Sequence, residues 1–211
     1  MSFPMDLFAD DDLDTLALPD AHITLYRRPD LGAAPATLFA CLQQELDWRE
    51  EPITLYGKTY LQPRLLAWYG DADAHYRYSG RDHVPRPWTT TLLALRDRVA
   101  ALTGAPFNSV LANLYRNEQD RMGLHADDER ELGPQPVIAS LSLGEERRFR
   151  LKHRHRKDLA PVTIPLASGT LLVMAGETQK NWKHEVPRES AKCGPRINLT
   201  FRHIESRHQR R

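Results

Sequence analysis

The chain has 211 residues, 41% of them hydrophobic, and a formal net charge of +1, which is enough chain to bury one domain core and barely enough for two. No apolar run approaches the roughly 20 residues of a membrane-spanning helix, and the opening MSFPMDLFADDDLD lacks the basic and apolar regions of a secretory signal. The isolated cysteines Cys41 and Cys193 form no metal-spaced pair, so a reduced, cytoplasmic setting is expected.

In chain order, residues 1–20 are acidic and broken by Pro4 and Pro19, and are expected to be flexible. From Pro35 to Leu46 the spacing of Leu38, Phe39, Leu42 and Leu46 predicts an amphipathic helix. Residues 52–62 read as a hairpin with Tyr56-Gly57 at its tip. Residues 87–102 read as a second helix, with Pro87 near its start and Gly104 after its end. Beyond residue 106 short β-rich runs dominate: 109–115, 136–143, 147–152, 162–166, 170–174 and 196–204, separated by turn signals such as Gly133-Pro134 and Ser168-Gly169. Many short strands with few helices predict a sandwich or jelly roll, here under an N-terminal helical layer.

Charge is unevenly spread. Residues 1–60 carry 4 Lys/Arg against 11 Asp/Glu, residues 61–146 carry 9 against 12, and residues 147–211 carry 16 against 5. A C-terminal third this basic suits a polyanionic partner as well as it suits a plain solvated surface.

Two patterns carry chemistry. His125-Ala126-Asp127 sets two metal-ligand types at a spacing of two, which on an extended strand share one side. His184 is the natural third ligand, 57 residues after Asp127. Two imidazoles and a carboxylate form the facial triad of non-haem iron(II) oxygenases, with positions left open for a bidentate cosubstrate and O2. The same set would equally hold zinc with a hydrolytic water. The second pattern is Arg196-Ile197-Asn198-Leu199-Thr200-Phe201-Arg202, strictly alternating. Its polar face lies in water on a half-buried strand, or else lines a cavity, where two arginines and an amide suit a dicarboxylate. Asn113 and Tyr115 repeat the i, i+2 arrangement with neutral donors.

In order, NLYRNEQDRMGLHADDERELGPQPVIASLSLGEERRFRLKHR, LASGTLLVMAGETQKNWKHEVPR and PRINLTFRHI resemble the AlkB family of nucleic-acid dioxygenases. The similarity covers roughly residues 52–204, in the branch of the animal DNA-repair members. The resemblance implies an α+β fold: a double-stranded β-helix (jelly roll) core with N-terminal helices and a nucleotide-recognition lid. Its expected boundaries are a flexible segment 1–20, the helical layer and lid 21–105, the jelly-roll core 106–205 and a basic tail 206–211, in one structural domain and a monomer. It implies oxidative demethylation of N-alkylated bases such as 1-methyladenine and 3-methylcytosine in DNA, using Fe(II), 2-oxoglutarate and O2. The products are succinate, CO2 and formaldehyde. An RNA- or tRNA-directed enzyme of the same chemistry is the nearest alternative, and a protein or small-molecule hydroxylase a more remote one.

By the resemblance, His125, Asp127 and His184 take the iron positions. Asn113, Tyr115, Arg196, Asn198 and Arg202 take the 2-oxoglutarate positions, with Arg196 on the distal carboxylate and Arg202 near the iron-chelating one. The segment PRLLAWYGDADAHYRYSG places Tyr78 where a ring stacks on an extruded base, with the His125 imidazole opposite and Tyr76 near the phosphate or base edge. Glu129 matches a residue that reads the exocyclic amine. Tyr56 sits at the tip of a hairpin that wedges into duplex DNA, where the family typically has Phe, and Arg64 matches a backbone-contacting arginine. Finally, Pro4-Met5-Asp6-Leu7-Phe8 resembles the Q-L-[SD]-L-F peptide of bacterial sliding-clamp ligands, with Pro4 departing from Gln. The plain alternative for that segment is Leu7 and Phe8 packing back on the domain.

Overall fold

Alternating side chains put two different surfaces on each strand of the C-terminal half, and the fold is what satisfies both. The computed structural model describes residues 13–55, 57–74, 76–78 and 81–205. The N-terminal part supplies β1 (Leu13–Leu16), β2 (His22–Tyr26), α1 (Pro35–Glu45), β3 (Pro52–Leu55), β4 (Lys58–Leu61) and β5 (Leu65–Gly70). β6 (Tyr76–Tyr78), β7 (Arg81–His83) and α2 (Thr90–Thr103) follow. The C-terminal part supplies β8 (Ser109–Tyr115), β9 (Met122–His125), β10 (Ile138–Gly144), β11 (Arg147–His153), β12 (Val162–Leu166) and β13 (Leu171–Ala175). A short helix α3 (Thr178–Asn181), β14 (Trp182–Val186) and β15 (Arg196–Arg202) complete it.

The strands form a seven-stranded sheet in the order β1-β2-β13-β10-β15-β8-β5 and a four-stranded sheet β12-β11-β14-β9. All ladder pairs within them are antiparallel. This is a jelly roll, with β3–β4 and β6–β7 as separate hairpins. Odd-numbered residues of β15 (Ile197, Leu199, Phe201) join Leu38 and Leu42 of α1 and Leu92, Leu95 and Val99 of α2 in one core. A second core, of Ile138, Leu172, Phe149, Leu151 and Trp182 among others, fills the space between the sheets. The layers are therefore helices, large sheet, small sheet, and the inner face of the large sheet looks at the small one.

Local chemistry explains the element ends. Pro35 opens α1, where its missing N–H costs nothing. α2 starts later than Pro87 suggests, because the Thr89 hydroxyl accepts the Leu92 N–H at 3.2 Å and so defines the cap. Gly104 closes it in the left-handed conformation (φ 67°), its N–H reaching the Ala100 carbonyl. Among the described residues no helix is long and apolar enough to cross a membrane.

The N-terminal expectation needs correcting. Residues 13–20 are not a flexible extension: β1 pairs with β2 from Leu13↔Tyr26 to Leu16↔Ile23. Leu16 and Leu18 pack on the inter-sheet core, and the Pro19 carbonyl accepts the Trp182 indole N–H at 2.8 Å. Acidic composition concealed three leucines with somewhere to go. Nor does the jelly roll begin at residue 106, since β1, β2 and β5 all belong to its large sheet. The stated cap yields a test: Thr89→Ala should lower unfolding free energy by about 1 kcal/mol, read as a shifted urea midpoint with unchanged slope, while metal uptake stays as in the parent.

Candidate metal centre and cosubstrate pocket

Antiparallel register brings the ligands together. β14 lies against β9 with His184 directly opposite His125, and their rings sit 4.3 Å apart at 62°. Asp127 follows just past the end of β9. One ligand atom from each of His125, Asp127 and His184 lies within 4.8 Å of the other two. The His125 Nδ1–H donates to the Gly123 carbonyl at 2.9 Å, which is an acceptor only, so the Nε2 lone pair is left for a metal. His184 is buried with its ring stacked on Phe149 at 5.2 Å. Burial, with the neighbouring His125, pushes its pKa down to about 3, so it is neutral at pH 7, as a ligand must be.

Asp127 is only 3% exposed. Burial by itself would raise its pKa, but Arg202 together with the two neighbouring imidazoles outweighs that and holds it at about 2. The guanidinium donates to Oδ2 through Nη2 at 2.9 Å and Nε at 3.3 Å. Oδ1 is left 3.6 Å from His125 Nε2, on the side of the imidazoles. Two imidazoles and one ionised carboxylate, open on one side to a pocket, suit a divalent metal that must keep free positions.

The pocket is walled by Asn113 and Tyr115 of β8, Ser140 of β10, and Asn198, Thr200 and Arg202 of β15. Met122, Phe149, Met174 and Val186 add apolar surface. The whole of β15 is buried, so its polar face lies in the protein interior and not in water. The Asn198 amide donates to Ser140 Oγ at 2.7 Å, and the Thr200 hydroxyl donates to Asn198 Oδ1 at 3.0 Å. Arg196, paired across the ladder with Tyr115, is 1% exposed. Its Nη2 donates to Ser142 Oγ at 2.9 Å. Its Nε and Nη1 have no hydrogen-bond partner. Burial pushes its pKa down. A buried guanidinium with two idle donors is costly by itself and fits an absent anion. The Tyr115 ring lies between Arg196 and Arg147, 5.2 and 5.4 Å from their charge centres.

The other expected residues divide. Arg64 does not reach toward a nucleic-acid backbone: it is 3% exposed, with Nε donating to Asn113 Oδ1 at 2.7 Å and Nη2 to Gln62 Oε1 at 2.8 Å. It lies just ahead of β5 and is turned inward, where it hydrogen-bonds a pocket residue. Glu129 lines a separate, more open groove with Arg130, Arg154, Gln179 and Glu205. Tyr76 and Tyr78 lie on β6, paired with β7. The side chains of those two tyrosines, Tyr56 and the segment Pro4–Phe8 lie outside the described residues. Residues that sequence reasoning missed include Phe149 under His184, Ser142 on Arg196, and Gln179, whose side chain accepts the Asp127 N–H. None has a local signal, since each meets its partner across at least 35 residues of chain.

A family model for the 2OG-Fe(II) oxygenase superfamily matches residues 32–202. Mouse DNA oxidative demethylase ALKBH2 is 40% identical over 176 residues, covering 79% of this chain and 74% of the relative. This chain belongs to the AlkB family of 2OG-Fe(II) oxygenases. Bovine alpha-ketoglutarate-dependent dioxygenase alkB homolog 3 is 43% identical over 176 residues, 80% of this chain and 61% of the relative. The AlkB-family chain thus spans about three fifths of that longer protein. In structure it is similar to OsALKBH1, with a TM-score of 0.61 at 18% identity over 90% of this chain and 99% of the other. A 2OG-Fe(II) oxygenase-family oxidoreductase from Burkholderia pseudomallei gives 0.56 at 15% identity, over 90% and 88%. Both likenesses concern the fold. AlkB-family membership brings iron(II), 2-oxoglutarate and O2 as the reagents, and the His-Asp-His group suits the metal.

The buried Asp127–Arg202 pair makes a prediction of its own. Arg202→Leu should destabilise the metal-free protein by on the order of 3–5 kcal/mol, because a carboxylate is left buried without its counter-charge. Adding Asp127→Asn should recover most of that loss. Urea denaturation of the two variants checks it, and a loss below about 1 kcal/mol in the single variant would contradict the pairing.

Proposed function

We propose that this protein removes methyl groups from ring nitrogens of alkylated DNA bases, such as 1-methyladenine and 3-methylcytosine, by oxidation. The observation that carries the reading is one interior cavity holding the His125, Asp127 and His184 donors beside Asn113, Tyr115 and the buried polar face of β15. The DNA assignment draws support from the relative named as a DNA oxidative demethylase. When bound, iron(II) with 2-oxoglutarate and O2 supplies an oxidation in which the cosubstrate loses CO2 to give succinate and a substrate C–H bond becomes C–OH. A hydroxymethyl group on a ring nitrogen then leaves as formaldehyde, restoring the base.

The chain's own residues bind and orient. Arg196 offers its two idle N–H groups to the distal carboxylate of 2-oxoglutarate, with the Tyr115 hydroxyl beside it. Arg202 stays on Asp127 and supports the carboxylate nearer the metal. Asn113, oriented by Arg64, and Asn198, oriented by Ser140, complete the polar wall. Phe149, Met174 and Val186 keep water from the other side. The methyl-bearing edge of the base is reached by extruding it, and a lesion that pairs badly is cheaper to extrude. Tyr78 stacks on that base opposite His125, Tyr76 meets its edge, and Tyr56 wedges into the gap. Cationic lesions suit such aromatic surroundings. Lys152 and the loop from Arg154 to Lys157 are exposed and contribute phosphate contacts.

Succinate and formaldehyde release, followed in parallel on methylated single-stranded DNA, duplex DNA and RNA, tests the reading. His125→Ala, Asp127→Ala and His184→Ala should each abolish turnover on every substrate. Near-parental succinate from any of them removes the metal centre from the account, and faster turnover on RNA than on both DNA forms redirects the substrate. Arg196→Ala should raise the 2-oxoglutarate requirement at least 30-fold, in line with roughly 2–5 kcal/mol for an unpaired buried charge. An unchanged requirement would put the distal carboxylate elsewhere.

A further inference from the structure

Asp127 is gripped at two points, and Arg202 accounts for only one. Ladder pairing of β9 stops at His125, so no strand hydrogen bond holds the backbone of Asp127. That backbone is held instead by a side chain from far along the chain. Gln179, on α3, accepts the Asp127 N–H with Oε1 at 2.9 Å. It is 2% exposed, and its Nε2 rests 3.5 Å from Met174 Sδ. Chemistry fixes this orientation, since a flipped amide would set its N–H donors against the Asp127 N–H.

A second tie closes a ring. Arg154 Nη1 donates both to the Gln179 carbonyl at 3.2 Å and to Asp128 Oδ2 at 2.6 Å. The neighbouring residues Asp127 and Asp128 are thus bound to one residue, directly through its side chain and indirectly through Arg154. That residue lies on the short helix leading straight into β14, which carries His184. The ring ties the carboxylate ligand to the element that delivers the distal imidazole.

We propose that Gln179 is a positioning residue of the metal centre: braced by Arg154, it fixes the backbone of Asp127 so that Oδ1 faces the two imidazoles. It does not touch the metal. The inference rests on the reading of His125, Asp127 and His184 as a metal site. A coordinating carboxylate free to swing loses much of its value as a ligand, and groups that orient ligands are worth about 10- to 100-fold in metal affinity.

The test is titration of the metal-free full chain with Co(II), whose visible absorption reports the ligand geometry, alongside thermal unfolding of each metal-free variant. Gln179→Leu keeps the bulk and removes the acceptor. It should weaken Co(II) binding by about 10- to 100-fold and change the visible spectrum. Gln179→Glu keeps an acceptor at the same reach and should restore affinity to within about threefold. Arg154→Ala removes only the brace and should weaken Co(II) binding by a smaller factor, and it carries the test if Gln179→Leu does not fold. A purely structural role would lower the melting temperature of Gln179→Leu with an unchanged Co(II) affinity and spectrum, which overturns the proposal. Equal losses in Gln179→Leu and Gln179→Glu, or an unchanged affinity in Arg154→Ala, do the same. A parent chain that binds no Co(II) overturns the metal reading along with it.

Discussion

A carboxylate shut away from water has to be answered by a charge, and the Asp127–Arg202 pair is where this structure meets that requirement. Arg202 closes the last strand of the large sheet, and Asp127 lies just past the edge strand of the small one. Their contact joins the two sheets at the mouth of the inter-sheet space. Without Arg202 the carboxylate would protonate or seek water, and a metal ligand would be lost. With it, Asp127 stays ionised while one oxygen remains committed and the other is left for a cation. The geometry of the metal group follows from where that pair is anchored.

The same logic extends inward along β15. Arg196, Asn198, Thr200 and Arg202 all point between the sheets, where an ordinary jelly roll would place apolar side chains. Ser140 and Ser142 on the adjacent strand answer Asn198 and Arg196 with hydroxyls, each reaching diagonally to the residue two before its ladder partner. Most of this polar layer satisfies itself, and what it leaves unsatisfied is concentrated on Arg196. Idle donors in an interior cost stability, and they are the groups able to take up an anion. The two cores on either side absorb the cost: the helices cover the apolar odd-numbered face, and Phe149, Leu151, Trp182 and their neighbours pack around the polar layer.

Arg64 shows how a motif residue changes role with its surroundings. In the sequence it belongs to a segment associated with nucleic-acid contact, and an arginine there suggests a phosphate. Placed just ahead of β5, its guanidinium finds two side-chain amides and a backbone carbonyl in the interior instead. One of those amides belongs to Asn113, a wall residue of the pocket.

By itself the sequence determined what is local or periodic. Pro35, Leu38 and Leu42 specify the first helix, the alternation of Arg196 to Arg202 specifies the last strand, and the order of His125, Asp127, His184 and the β15 arginines names the chemistry. Strands β9 and β14, which carry both histidine ligands, were not legible. One holds a glycine and the other interrupts its apolar alternation with His184, so neither has the apolar periodicity that identifies a strand. Only the tertiary structure decided that neither face of β15 meets water, because alternation distinguishes two faces and not what covers each of them. It also decided that Leu13 and Leu16 of an acidic N-terminus pair into the large sheet, and that Gln179 holds Asp127 across 52 residues. Such contacts depend on antiparallel register between distant strands, which no window of sequence contains.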